Sequence, residues 1–185
     1  MLAVKRDDVD AFETLFRRYA NPLVGLASSF VHSRARAEEI AQETFVQVYK
    51  TRHRYEPRAR FVTWLYRIAT NLCLSEARRP EHRLAMRLAS QPDGRDEESD
   101  LDSFPDLVGR TGEEELLVRE DMLRMKEALR ELPGQQRAAL LLARVEGLPY
   151  EDVARALGCS VSAVKSLIHR ATVTLRGRFA GTRQS

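Results

Sequence analysis

The chain has 185 residues and a mass of 21.1 kDa, with 43% hydrophobic, 7% aromatic and 31% charged residues. This fits one large or two small soluble domains and excludes a collagen, a mucin or a disulfide-stapled toxin. Thirty Lys and Arg against 27 Asp and Glu leave a net charge of +3, too small to identify a polyanionic partner without knowing where the charges lie. Cys73 and Cys159 are far apart and have no CxxC or clustered histidines beside them. Neither a disulfide framework nor a zinc site is expected, and a reducing, cytoplasmic location is the default. The opening MLAVKRDDVDAF lacks the apolar stretch of a signal peptide, and the longest purely apolar run, Ala138 to Ala143, stops at Arg144. No membrane insertion is expected.

From Asp10 to Arg79 the apolar residues recur with a helical period. Phe12, Leu15, Phe16 and Tyr19 share one face, and Pro22 is expected to kink or end that helix, with a second running from Pro22 to about Val31. Ser33 can cap a third. In that helix Ala37, Ile40, Ala41, Thr44, Phe45 and Val48 form one stripe, and Glu39, Gln42, Glu43, Val46 and Lys50 form another. TRHRYEPRAR breaks the period at Pro57, and FVTWLYRIATNLCLSEARR resumes it as a fourth helix. There Phe61, Leu65, Ile68 and Leu72 make the core stripe, while Arg60, Thr63, Arg67, Asn71 and Arg78 lie on another face.

Gln91 to Glu115 carries ten acidic residues against Arg95 and Arg110, a net of −8, together with Pro92, Pro105 and three glycines. Such a composition predicts a flexible linker. It leaves +11 on the other 160 residues, so the folded parts are strongly basic. Helical periodicity returns at Leu116 and predicts about four more helices: LLVREDMLRMKEALREL, QQRAALLLARVEG, LPYEDVARALG and VSAVKSLIHRATVTLRGRF. The expected fold class is all-α, with two small helical domains at 8–88 and 116–180 joined by the acidic linker 89–115.

Within the second domain, YEDVARALGCSVSAVKSLIH has the spacing of a helix-turn-helix. Ala154 is small where two helices cross, Gly158 can take a left-handed turn, Val164 faces back, and Ser160 sits where an N-cap belongs. Val161, Val164, Ile168, Ala171 and Leu175 then face inward, leaving Ser162, Lys165, Ser166, His169 and Arg170 for a major groove and its phosphates. A helical hairpin with a solvated face would share the spacing. Against it, no acidic residue follows Asp152, whereas Arg155, Lys165, Arg170, Arg176, Arg178 and Arg183 do.

A second basic segment runs from Lys50 to Arg87, with ten cations against Glu56, Glu76 and Glu81 and with Tyr55, Phe61, Trp64 and Tyr66 interleaved. Cations hold phosphates, Asn71 can read a base edge, and aromatics can stack on unpaired bases, although Phe61 and Trp64 also suit a core. The AEEIAQETF stripe, with exposed Val46 among charged and amide groups, suits either solvent or a docked protein. His32, His53, His82 and His169 are scattered singly, and no HExxH, GxSxG, GxxxxGK[ST] or GxGxxG is present. No catalytic or metal-binding residues and no cofactor are expected.

Taken in order, AEEIAQETF, FVTWLYRIATNLCLSEARR, an acidic linker, LRELPGQQRAALLLARVEGLPYEDVARALG and VSAVKSLIHRA resemble a bacterial RNA polymerase sigma factor of the extracytoplasmic-function type, over roughly residues 9 to 178. The resemblance implies that the first domain grips the clamp helices of the polymerase β′ subunit and reads the melted minus-ten promoter element, that the second reads the minus-thirty-five element as duplex, and that the β flap and an anti-sigma factor are further partners. It places Glu39, Ile40, Gln42, Glu43, Phe45 and Val46 on the polymerase-binding helix. It places Tyr55 to Thr63 at the loop that captures a flipped minus-ten base, with Arg58, Arg60, Phe61, Thr63, Trp64, Arg67 and Asn71 as minus-ten contacts. Ser160, Ser162, Lys165, Ser166, His169 and Arg170 fall on the distal reading helix. This sequence has Leu167 and Thr172 where relatives commonly carry arginine. A stand-alone helix-turn-helix regulator is the competing expectation, but it leaves the AEEIAQETF domain unexplained. A nuclease would need paired carboxylates at metal-binding spacing, which the sequence lacks.

Overall fold

The computed structural model describes residues 1–57, 60–79 and 112–181, and everything structural below refers to these. They form helices α1 (Val9–Ser28), α2 (Arg34–Lys50), α3 (Phe61–Glu76), α4 (Gly112–Glu131), α5 (Gly134–Arg144), α6 (Tyr150–Leu157) and α7 (Val161–Gly181). Two short 3₁₀ turns occur, Val4–Arg6 before α1 and Arg52–Arg54 between α2 and α3, and no strand occurs among the described residues. The acidic segment 91–115 lies outside them except for the start of α4.

The caps follow the local chemistry. Asp8 accepts from the Ala11 amide to start α1, and Ser33 accepts from the Arg36 amide to start α2. The expected break at Pro22 does not occur: α1 runs through it, so the first group has three long helices, not four. Proline removes the bond to the carbonyl of Arg18, an exposed residue whose carbonyl water can serve, while Leu23, Leu26 and Ala27 beyond the proline are buried and hold the helix on course. On α2 the buried residues are Ala37, Ile40, Ala41, Thr44, Phe45 and Val48, the stripe that the period predicted.

In the second group, Ser160 accepts from the Ala163 amide and Gly158 has φ +65°, which makes α6 and α7 the two helices of the helix-turn-helix. Val164, Ile168 and Ala171 are buried behind them, with Ala154 at the crossing. An ion pair between Arg178 and Glu131 ties the end of α7 to α4.

The two groups pack on each other around one continuous apolar core. Helix α3 is the shared wall, set against α1 and α2 on one side and α5 and α6 on the other. At the seam Arg130 donates to the carbonyls of Ser28 and Val31, at 3.4 and 3.1 Å, and Arg137 donates to the Ser29 carbonyl at 2.6 Å. These are carbonyls that the end of α1 leaves without helical partners. Arg137 also donates to the carbonyls of Arg130 and Leu132 and lies 4.8 Å over the Phe30 ring. Across the same seam the Tyr66 hydroxyl donates to the Glu146 carboxylate.

Arg137→Met keeps an unbranched apolar stem but leaves three buried carbonyls without a charged donor. It should lower the unfolding free energy by about 3 kcal/mol or more, read as a reduced urea midpoint.

Candidate nucleic-acid and polymerase interface

Three exposed faces contain the residues singled out in the sequence. On α2, Glu39, Gln42, Glu43 and Val46 recur at i, i+3, i+4 and i+7 and are all exposed, Val46 at 48%. Ile40 and Phe45 are not on this face. Both are buried, and Phe45 packs edge-on to Phe12 at 6.1 Å and against Phe16 at 4.8 Å. The period of the helix separates them from the face that a partner would touch. Arg36, which the sequence did not single out, organises this face. It pairs with Glu39 at 2.6 Å and Glu43 at 3.2 Å, and reaches across to Glu76 of α3 at 2.8 Å. Its pKa is raised by these carboxylates, first by Glu76 and then Glu39, so it stays charged and holds the acids in register.

The second face is on α3. Trp64, Arg67 and Asn71 follow at i, i+3 and i+7, one stripe along the helix, with Arg60 at its N-cap and Arg78 just past its C-terminal end. Arg60, Arg67, Asn71 and Arg78 are exposed and Trp64 is half-buried. At its N-terminal end Phe61 and Trp64 join an aromatic group with Tyr55 and Tyr19: Tyr55–Trp64 centroids are 5.3 Å apart, Phe61–Trp64 6.2 Å and Tyr19–Phe61 5.8 Å. Thr63 departs from this stripe. It is buried on the side of α3 that carries Tyr66, which the second group covers, and its Oγ1 has no hydrogen-bond partner. Arg58 lies outside the described residues.

The third face is on α7, where Ser162, Lys165, Ser166, His169 and Arg170 are exposed together above the buried Val164 and Ile168. Ser160 is exposed too, but its hydroxyl already serves as the cap and meets Ser162 Oγ at 2.9 Å. Ser166 Oγ donates to the Ser162 carbonyl. Leu167 is half-buried and packs on the core, and the Thr172 hydroxyl bonds back to the Ile168 carbonyl.

The comparisons with known proteins bear on these faces. Residues 15–89 match the Sigma-70 region 2 family and residues 122–175 match Sigma-70, region 4. The RNA polymerase sigma-H factor of Pseudomonas aeruginosa is 33% identical over 172 residues, covering 91% of this chain and 86% of that protein. The chain belongs to the extracytoplasmic-function sigma factors of the sigma-70 family. These factors direct RNA polymerase to promoters. The ECF RNA polymerase sigma-E factor of Haemophilus influenzae is likewise 33% identical, over 95% of this sigma factor and 91% of its own length. The fold is shared with CnrH, solved in complex with the cytosolic domain of CnrY, at a TM-score of 0.70 and 22% identity over 97% of this chain and 94% of that one. It is also shared with the sigma factor RpoE of Bartonella quintana, solved with the anti-sigma factor NepR, at 0.61 and 24% over 90% and 95%. No helix among the described residues is long and apolar enough to cross a membrane.

The burial of Phe45 against the exposure of Val46 is directly measurable. Phe45→Ala should cost about 3–5 kcal/mol of stability, whereas Val46→Ser should stay within about 0.5 kcal/mol of wild type in urea denaturation.

Proposed function

We propose that the first helical group, residues 8–88, docks on polymerase core through the Glu39, Gln42, Glu43 and Val46 face, meeting the β′ clamp helices, and reads the melted minus-ten element along α3. Residues 116–180 read the minus-thirty-five element through Ser162, Lys165, Ser166, His169 and Arg170 and meet the β flap, with 89–115 as the tether. The observation that carries this reading is the α3 stripe, in which exposed Arg67 and Asn71 and the half-buried Trp64, the chain's one tryptophan, follow one another between exposed Arg60 and Arg78 at the helix ends, with no carboxylate among them. Polymerase supplies the catalysis, so the factor itself is not an enzyme and works in the cytoplasm beside its polymerase. An anti-sigma factor, the class of partner bound in the Bartonella quintana structure, belongs to the same proposal.

The closed packing of the two groups adds a geometric requirement. The two promoter elements are, by their names, roughly 25 base pairs apart, about 85 Å of duplex at about 3.4 Å per pair. A folded body of about 150 residues is only about 40 Å across. Reading both elements therefore requires the seam at Arg130 and Arg137 to part. Thr63, buried with its hydroxyl unsatisfied on the Tyr66 side of α3, is then freed toward DNA.

The deciding experiment is runoff transcription with purified core on genomic fragments, set beside duplex binding by the chain alone. Promoter-specific transcripts with core, and only salt-sensitive, unspecific binding without it, support the reading. Tight sequence-specific duplex binding by the isolated chain favours a stand-alone helix-turn-helix regulator instead.

Trp64→Ala and Asn71→Ala should each slow promoter opening by the loss of about 1–3 kcal/mol of contact that exists only with unpaired bases, leaving closed-complex affinity little changed. Equal losses in both steps would move these residues off the melted strand.

At the seam, a Cβ on Gly134 would lie 2.8 Å from Leu74 Cδ2. Gly134→Leu should wedge the groups apart, raising the radius of gyration in X-ray scattering and speeding promoter-complex formation with core. An unchanged radius and rate would count against the opening.

A further inference from the structure

The first seven residues of the chain grip the segment that leads into α3. Val4 is fully buried in the first 3₁₀ turn, which packs on α1 and on the Arg52–Arg54 turn. Lys5 Nζ donates to the Tyr55 carbonyl at 3.1 Å, at the C-terminal end of that second turn. Asp7 Oδ1 accepts from Arg52 Nε at 2.7 Å and lies 2.6 Å from its Nη2. The Arg52 guanidinium is in turn placed 4.0 Å over the Tyr49 ring, with Nη1 donating to the Tyr49 carbonyl at 2.8 Å. Both ends of the Arg52–Arg54 turn are thus held from the N-terminal segment. Asp7 does this at φ +65°, the one described non-glycine residue with a positive φ. Such a conformation persists where the surroundings over-determine it, and the Arg52 contact is that constraint. It is not needed to start α1, which Asp8 caps.

What the grip fixes is Tyr55. Its side chain is buried, and its ring packs on Trp64 at 5.3 Å and Phe61 at 6.4 Å, the N-terminal end of the α3 stripe. We propose that Lys5 and Asp7 are positioning residues that hold Tyr55, and through it Trp64, in the arrangement that receives an unpaired base. The inference rests on the assignment of the α3 stripe to melted promoter DNA. Its physical content is preorganisation: side chains ordered before DNA arrives need not be ordered at its expense.

The test uses the full chain carrying Lys5→Met and Asp7→Asn. Asparagine tolerates the left-handed backbone, so the double variant removes the charged contacts and keeps the turn. Trp64 is the only tryptophan in the sequence, which makes its emission a direct report on the site. We expect red-shifted, more readily quenched Trp64 emission in the isolated variant, and with core an opening rate reduced about tenfold while closed-complex affinity stays within about twofold of wild type. Lys5→Arg with Asp7 intact should restore both signals. Unchanged Trp64 emission, or an opening rate within about twofold of wild type, overturns the inference. So does a fall in core affinity or unfolding midpoint that accounts for the slower opening, which would make the N-terminal segment mere scaffolding. If wild-type chain with core opens no promoter, the assignment of the stripe fails first, and the positioning role falls with it.

Discussion

Arg137 is the point on which the observed arrangement depends. A buried guanidinium is normally matched by a carboxylate, but here its partners are the carbonyls of Ser29, Arg130 and Leu132. Burial, and secondarily the neighbouring charge of Arg130, lower its pKa to about 10, still well above neutrality, so the charge is kept. The Ser28, Ser29 and Val31 carbonyls lie at the negative pole of α1 or just past it, and Arg130 and Arg137 of the second group donate to them. Arginine suits the position better than lysine because its planar fork reaches carbonyls from two helical groups at once. Beside the shared apolar core, the second group is therefore held to the first by satisfying its loose helix end, and two like charges share the seam. A contact built in this way closes the molecule without welding it.

Helix α3 carries the consequence, because each of its sides has a separate task. Leu65 and Ala69 are buried, and Ile68 and Leu72 lean on the core. Tyr66, Thr70 and Cys73 are buried as well, which a helix serving a single small domain would not require. Tyr66 and Glu146 show the cost of that second burial: desolvation raises the pKa of both, and the phenol remains a donor to the carboxylate. Burial also pushes the Cys73 thiol up to about 12, so it is an unreactive packing group and not a redox handle. Only the Arg60 to Arg78 edge is left to solvent, and in the proposed reading that edge meets DNA.

The parts of the fold written in local sequence were legible. Ser33, Ser160 and Gly158 act where their chemistry predicts, and the α2 core stripe matches its period residue for residue. Pro22 misled because proline's local cost is real but small against the packing of Leu23, Leu26 and Ala27 beyond it. Family resemblance put Ile40 and Phe45 on the docking face, although the helical period had already assigned them to the interior; the structure follows the period. The reach of Arg36 to Glu76, the cross-seam contacts of Arg130 and Arg137 and the Lys5–Asp7 grip were invisible because each joins residues from 40 to more than 100 positions apart. Side-chain spacing within one helix holds no trace of such contacts. The burial of Thr63 was equally hidden, since the residue sits on the Tyr66 side of α3, where that tyrosine reaches Glu146 from 80 positions away.

The distal helix raises the same question at one residue. The family resemblance implies arginine at the position of Leu167, and on a free face a leucine there would weaken phosphate anchoring. Leu167 is instead half-buried against the core beside Val164 and Ile168, so an arginine there would have to snorkel outward with its stem along the apolar surface. The leucine thus seats α7 more tightly on the core than an arginine would. Thr172, bonded to the Ile168 carbonyl, is likewise satisfied within its own helix. In the proposed reading, phosphate contact then rests on Lys165 and Arg170 with Arg176 further along, all exposed and with no acid after Asp152 to oppose them. Fewer anchors on a more firmly seated helix leave a larger share of distal recognition to base contacts, which is where Ser166 and His169 stand.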